Sequence, residues 1–456
     1  MPNVEQQLIT ELLDVLPGVD VAGLEVVGSG GLPGLFPVSE LATASVSVAA
    51  LAAASVAGAS RVTVDRALAS AWFGMTLAPI GWELPSPWDP IAGDYRCRDG
   101  WIRLHTNAPH HRAVALSVLG TPADRDAVAA AVAEWNGDEL ENAVVAAGGC
   151  AAVMRSSDEW AGSAQGLAGS LEPLIAWVDT GLAGGISAGA AAGLASAERS
   201  LPGHTTPLTG VRVLDLTRVL AGPIATRFLG MLGADVLRID PPEWDETIAP
   251  EVTLAKRTTR LDLRSLAGRA VFEELVRGAD VLVHGYRSGA LESLGYGTAE
   301  LQQLRPGLID VALNAYGWSG PLDTRRGFDS LVQMTTGIAH AGMLHAGAER
   351  PVPLPVQALD QATGYLMAAA VLSALRRRLS TGVGHSARLS LARTAQLLLD
   401  RPGAGDHTPF EGAVDVAAED TAWGPATRVR APFQIDGVTL GGRGAVPFGA
   451  DVAEWL

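Results

Sequence analysis

Val211-Arg212-Val213-Leu214-Asp215-Leu216, then Ala221-Gly222-Pro223, then Ala234-Asp235-Val236-Leu237-Arg238-Ile239: this stretch decides the fold. The first run is short and apolar, as expected of a strand buried in a parallel sheet. Ala221-Gly222-Pro223 opens a helical pattern over 224–232, with proline in the first turn, where a missing N–H costs nothing. Gly233 is the stop and the third run is another strand, so the stretch reads as a βαβ unit. The pattern continues outward with a helix over 266–277, a strand over 280–284, a short helix over 298–304 and a strand over 308–313. This alternation predicts an α/β protein with an open, doubly wound, Rossmann-like sheet. Ligands on such sheets sit at the carboxyl ends of the strands, which directs attention to Arg218, Arg238 and the Tyr286-Arg287 turn.

The half before this unit differs. Residues 40–80 are helical and Ala-rich, and Tyr95 to Leu104 reads as a hairpin with Asp99-Gly100 at its turn. Amphipathic helices are expected over 124–135 and 138–147, completing a smaller α+β domain. A Gly-, Ala- and Ser-rich stretch reads as a linker. The expected division is therefore 1–182, a linker at 183–207, a Rossmann-like unit at 208–400 and a C-terminal return segment at 401–456. An internal echo crosses this division. Pro37-Val38-Ser39-Glu40-Leu41-Ala42 resembles Pro355-Val356-Gln357-Ala358-Leu359-Asp360, and Ala-rich helices follow both. In that pairing Ala42 takes the place of Asp360.

Composition narrows the function classes. The chain has 456 residues, 48% hydrophobic and 18% charged, with formal charge −16, which argues against binding nucleic acid through its phosphates. A local basic pocket for a small anion is not excluded. Two cysteines, Cys97 and Cys150, make neither a disulfide framework nor a metal site, and a reducing, cytoplasmic setting is expected. The first residues lack the pattern of a signal peptide, and the apolar run 41–58 reads as a buried helix rather than a membrane span. Gly28 to Gly34 fails the dinucleotide spacing and reads as a loop, and His110-His111 reads as a surface pair rather than a metal site.

Asp360 stands among small and apolar residues ahead of a helical stretch at 365–379. Spacing alone favours a helix cap there. The motifs around it change that balance. Asp215-Leu216-Thr217-Arg218-Val219-Leu220-Ala221-Gly222-Pro223, Gly233-Ala234-Asp235-Val236, Lys256-Arg257, Tyr286-Arg287-Ser288-Gly289, Gly317-Trp318-Ser319-Gly320-Pro321, Gly327-Phe328-Asp329 and the Asp360 helix resemble, in order, the family III CoA-transferases, a family that includes α-methylacyl-CoA racemases. The N-terminal half resembles a later part of the same family, so the chain resembles a rearranged member with a degenerate partial copy in front.

The resemblance implies the family III fold, an interlocked homodimer, and acyl-CoA and a carboxylic acid as substrates, with coenzyme A needed and no metal. It implies that Asp360 is a covalent nucleophile that carries CoA between acids as an aspartyl thioester. The cofactor contacts it implies are Arg218, Leu220, Ala221, Arg238, Lys256, Arg257, Tyr286, Arg287 and Gly327. The arginines suit phosphate and Tyr286 suits the adenine or pantetheine. Racemases carry histidine where this chain has Phe328, which disfavours α-proton exchange. The glycine-rich lid is reduced to Ala92-Gly93. An acyl-CoA racemase and a non-catalytic CoA-binding protein are the alternatives.

Overall fold

The structure is a computed structural model that describes residues 3–19, 23–183, 189–190, 206–405, 408–409 and 414–456. Most of the expected linker therefore lies outside the described residues. Seven strands form one mixed sheet in the order Arg257–Arg260, Asp235–Asp240, Arg212–Leu216, Val281–His284, Ile309–Asn314, Val383–Ser390 and Ala176–Ala183. The first six are parallel and the last runs antiparallel at the edge. Numbered along the chain, the parallel strands stand in the order 3-2-1-4-5-6. The order reverses between Arg212–Leu216 and Val281–His284, and the crevice of a doubly wound sheet opens beyond the carboxyl ends at such a point.

The expected doubly wound sheet is thus present, with a correction at its edge. The strand Ala176–Ala183 comes from the N-terminal half and pairs with Val383–Ser390, so the sheet crosses the expected boundary at 182. Nothing in its short, mixed sequence marks it as part of that sheet. Two further strips tie the ends together. Phe433–Ile435 pairs with Arg61–Asp65, and Gly424–Val429 pairs with Leu77–Pro79. The small unit has its own sheet, from Gly93–Arg96, Trp101–Leu104 and Ala151–Val153, with helices Arg125–Val132 and Gly137–Ala146 packed on it.

Two long helices, Val38–Ala57 and Ala358–Thr381, fill the centre of the largest core cluster. Both are long and apolar enough to cross a membrane by length and composition, and both are buried inside the protein. Neither has a polar face, which is how a fully surrounded helix reads. Their ends match closely. Pro37 (φ −77°, ψ 64°) and Gln357 (φ −76°, ψ 64°) precede them, and Gly58 and Gly382 close them in the left-handed conformation. Counted from those starts, the third residue is Glu40 in one helix and Asp360 in the other, whereas the sequence pairing puts Ala42 opposite Asp360. The sequence pairing matches Pro37 with Pro355, but Pro37 directly precedes its helix whereas Pro355 lies two residues ahead of Gln357, so the pairing is offset by two.

Candidate active site

Asp360 is not the cap of its helix. Gln357 occupies that position without a side-chain cap bond, and Asp360 lies in the first turn, 6% exposed. Its backbone N–H donates to Asp329 Oδ2 at 2.9 Å. Asp329 opens the helix Asp329–Thr335 and is itself 1% exposed. Gln333 Nε2 donates to its Oδ1, and the Leu359 N–H also supports it. Gln333 Oε1 in turn accepts the Leu354 N–H at 2.7 Å, so both sides of the turn are braced.

This makes a pair of buried carboxyls with unequal support. Burial, and next the charge of Asp329, hold the Asp360 carboxyl well above the ordinary carboxylate range. Burial also raises Asp329, to about 6, opposed by the donors that hold it. Two like charges at close quarters do not ionise independently, and of the two Asp329 has the donors that favour its charged form. Sequence reading missed Asp329 as a partner, although it stands in the quoted Gly327-Phe328-Asp329 run. Gly327 is tightly enclosed: a Cβ there would lie 2.5 Å from Ala315 Cβ.

The crevice at the strand-order reversal holds part of the expected cofactor set. Arg218 follows the first strand and its guanidinium sits 4.5 Å from the Trp244 ring and 5.6 Å from the Tyr286 ring. Arg287, next to Tyr286, is exposed. Leu220 precedes the helix Ala221–Met231 without a side-chain cap bond, so the positive end of that helix faces the same place. Val219 is held at φ 66°, a rare conformation for a β-branched residue, and its N–H donates to Glu246 Oε1 at 2.8 Å. Ala221 also lies near the candidate nucleophile. A Cβ on Gly364, one turn beyond Asp360, would come within 2.5 Å of the Ala221 carbonyl oxygen. The close approach brings the cation-bearing crevice alongside the Asp360 turn.

Three expected phosphate contacts are placed elsewhere. Arg238 is 0% exposed, its guanidinium held by Asp240 at 2.9 Å and by Glu246 at 3.2 Å. Lys256 is 1% exposed, with Nζ 2.9 Å from Asp215 Oδ2, and burial lowers its pKa to about 8. Arg257 starts its strand and forks back onto Asp235, at 2.9 and 3.0 Å. Asp235 begins the neighbouring strand, on the edge of the sheet away from the crevice. Each cation is already paired with a carboxylate, Asp240 and Asp215 buried and Asp235 half-buried. Strand geometry explains one pairing: Arg238 and Asp240 are two apart and share a face.

The small unit approaches the turn from the other side. His105 stacks on Phe328 with ring centres 3.6 Å apart, and burial lowers its pKa to about 3. A histidine from another segment thus reaches the place where Phe328 stands, in a neutral form. His111 is buried rather than on the surface, with Nε2 3.6 Å from Cys150 Sγ and a pKa lowered to about 4 by burial. No group of three metal-ligating side chains occurs among the described residues.

Residues 208–431 match the family model of CoA-transferase family III. Over this segment the chain is similar to that family. An acyl-CoA transferase of Fusarium pseudograminearum is 33% identical over 221 residues, which is 43% of this chain and 47% of that one. A succinyl-CoA:glutarate CoA-transferase of Mus musculus is 33% identical over 192 residues, 39% of this chain and 44% of that one. A formyl-CoA:oxalate CoA-transferase of Bradyrhizobium diazoefficiens is 29% identical over 255 residues, 49% of this chain and 59% of that one. A crystal structure of a Mycobacterium tuberculosis protein overlays with a TM-score of 0.38 at 31% identity, covering 44% of this chain and 59% of that one. The chain spans about half the length of the curated relatives it matches.

Proposed function

We propose that the protein is a CoA-transferase that moves coenzyme A between carboxylic acids through Asp360. The observation that carries this reading is a buried, cation-free carboxyl in a first turn, beside a family III crevice headed by Arg218. In the proposed cycle the Asp360 carboxylate attacks the thioester carbonyl. The C–S bond breaks, leaving a mixed anhydride and CoA thiolate. The thiolate then attacks the Asp360 carbonyl, releasing the donor acid and leaving an aspartyl-CoA thioester. The acceptor carboxylate attacks that thioester, and the returning thiolate attacks the new acyl group and frees Asp360. A covalent carrier divides one difficult exchange into four easier steps.

Arg218, with Trp244 and Tyr286, would hold the cofactor's phosphates and adenine, and exposed Arg287 would add charge. Loss of the shared proton activates Asp360, so the pair sets the pH at which the first attack proceeds. An interlocked homodimer and a cytoplasmic location belong to the same proposal. Light scattering in solution tests the first, at twice the chain mass of 47.1 kDa. The deciding experiment is intact-mass analysis after incubation with a panel of acyl-CoAs. The protein should gain the mass of coenzyme A less one water, and Asp360→Asn should not. Binding of CoA with no adduct from any member of the panel would leave a CoA-binding protein instead.

A further inference from the structure

Glu246 stands in the loop 241–248, between the strand Asp235–Asp240 and the short helix Ala249–Val252. Its side chain is 8% exposed and both carboxylate oxygens are engaged. Oε1 accepts the Val219 N–H at 2.8 Å and the Trp244 indole N–H at 3.1 Å. Oε2 accepts from Arg238 Nη2 at 3.2 Å. Two of these partners flank Arg218. Val219 is the next residue along the chain, and the Trp244 ring covers the Arg218 guanidinium at 4.5 Å, with Tyr286 at 5.6 Å.

A carboxylate beside a phosphate site repels the phosphate unless its charge is met elsewhere. Here Arg238, buried in the sheet, meets it. Val219, at φ 66°, keeps that conformation only while its surroundings hold it, and Glu246 takes its N–H. The loop itself has a separate anchor on its outer side. Arg260 Nη1 donates to the Pro242 and Trp244 carbonyls at 2.7 and 2.8 Å, and its Nη2 bonds Asp245 at 2.7 Å. Glu246 is thus the link from an independently anchored loop to the Arg218 turn.

We propose that Glu246 is a positioning residue for cofactor binding: it fixes the Val219 turn and the Trp244 ring around Arg218, and Arg238 acts on coenzyme A through it rather than by touching a phosphate. This role rests on the reading of the Arg218 crevice as the coenzyme A site, and it needs no transfer step. A guanidinium already held in place loses little freedom on binding, so removing the hold weakens binding rather than slowing the chemistry.

The test titrates free coenzyme A into the full chain by calorimetry, with Tm read on each preparation. Glu246→Asp keeps the charge but is one methylene too short to reach Val219 and Trp244 together. Its Kd for coenzyme A should rise about tenfold, the size of one lost charge-assisted hydrogen bond, with little change in Tm. Glu246→Gln keeps the reach and gives up the charge. It should lower Tm, because Arg238 loses a charged partner, yet weaken coenzyme A by about threefold or less. In an Arg218→Ala background, Glu246→Asp should cost no more than about twofold further, because its effect runs through Arg218. A purely structural glutamate predicts the reverse order, with Glu246→Gln the weaker binder and affinity falling with Tm. That order, an unchanged Kd in Glu246→Asp, or the full loss repeated in the Arg218→Ala background overturns the proposal. Coupled weakening of coenzyme A binding without any Asp360 adduct would sink the transfer reading alone. An adduct with no effect of Glu246→Asp on binding would sink this inference alone.

Discussion

The turns that begin the two long central helices have almost the same backbone and opposite electrostatics. In both, the first N–H bonds two residues back, to Phe36 O and to Val356 O, each at 2.8 Å. Both place an acid third in the helix. Glu40 meets Arg66 at 2.7 Å, and that guanidinium also bonds Glu5. Asp360 meets another carboxyl, Asp329, and no cation. One acid is neutralised by a partner and serves the fold; the other has no such partner, and the fold makes its ionised form costly. Such strain against stability is what a reacting group needs, and the backbone geometry alone would not have separated the two.

The sharpest way to break this contrast is to neutralise each acid in turn. Asp360→Asn should lower CoA transfer by about 10⁴-fold or more, as expected for a lost nucleophile. The same change should raise Tm by about 2 °C, because a neutral amide removes a buried group that resists ionisation. Calorimetry and a transfer assay on one preparation read both effects, and a lower Tm would refute the claim of strain. The sign follows from proton linkage. The folded chain holds these protons more tightly than the unfolded chain, so stability from the pair is present in acid. It is lost as pH rises from the ordinary value of 3.8 through about 6 for Asp329, and higher for Asp360.

Asp329→Asn sharpens the contrast further. It removes the charge that lifts Asp360 while keeping an oxygen to accept the Asp360 N–H. The pH at which adduct formation rises should move to lower values, even if the maximum rate falls by about tenfold. An unshifted profile would show that the two carboxyls do not share a proton. Arg218→Ala tests the cation-bearing side of the same turn, with an expected rise of about tenfold in KM for acyl-CoA and little change in kcat. The smallest effect belongs to the other turn. Glu40→Gln should cost about 1–2 kcal/mol of stability in denaturant titration and leave transfer within about twofold.

Much of the sheet is legible in the sequence because buried parallel strands are short apolar runs bounded by turns. The strands at 211–216, 234–239, 280–284 and 308–313 all appear within a residue or so of their expected places. The order 3-2-1-4-5-6 is not written in such runs, since apolarity does not name a neighbour. The edge strand Ala176–Ala183 is missed for the same reason: its partner is some two hundred residues away. Asp360 is legible only through the motifs around it, and Asp329 only as part of one. Arg238, Lys256 and Arg257 look available in sequence because nothing there marks Asp240, Asp215 and Asp235 as their partners.

The antiparallel strand lent by the N-terminal half has a bearing on how the molecule can be handled. Without it, Val383–Ser390 would present a bare row of amide and carbonyl groups, an invitation to pair with whatever strand came next. A fragment cut near residue 208 would carry the whole family segment and still be expected to clump. The front half covers an edge that the back half would otherwise leave bare.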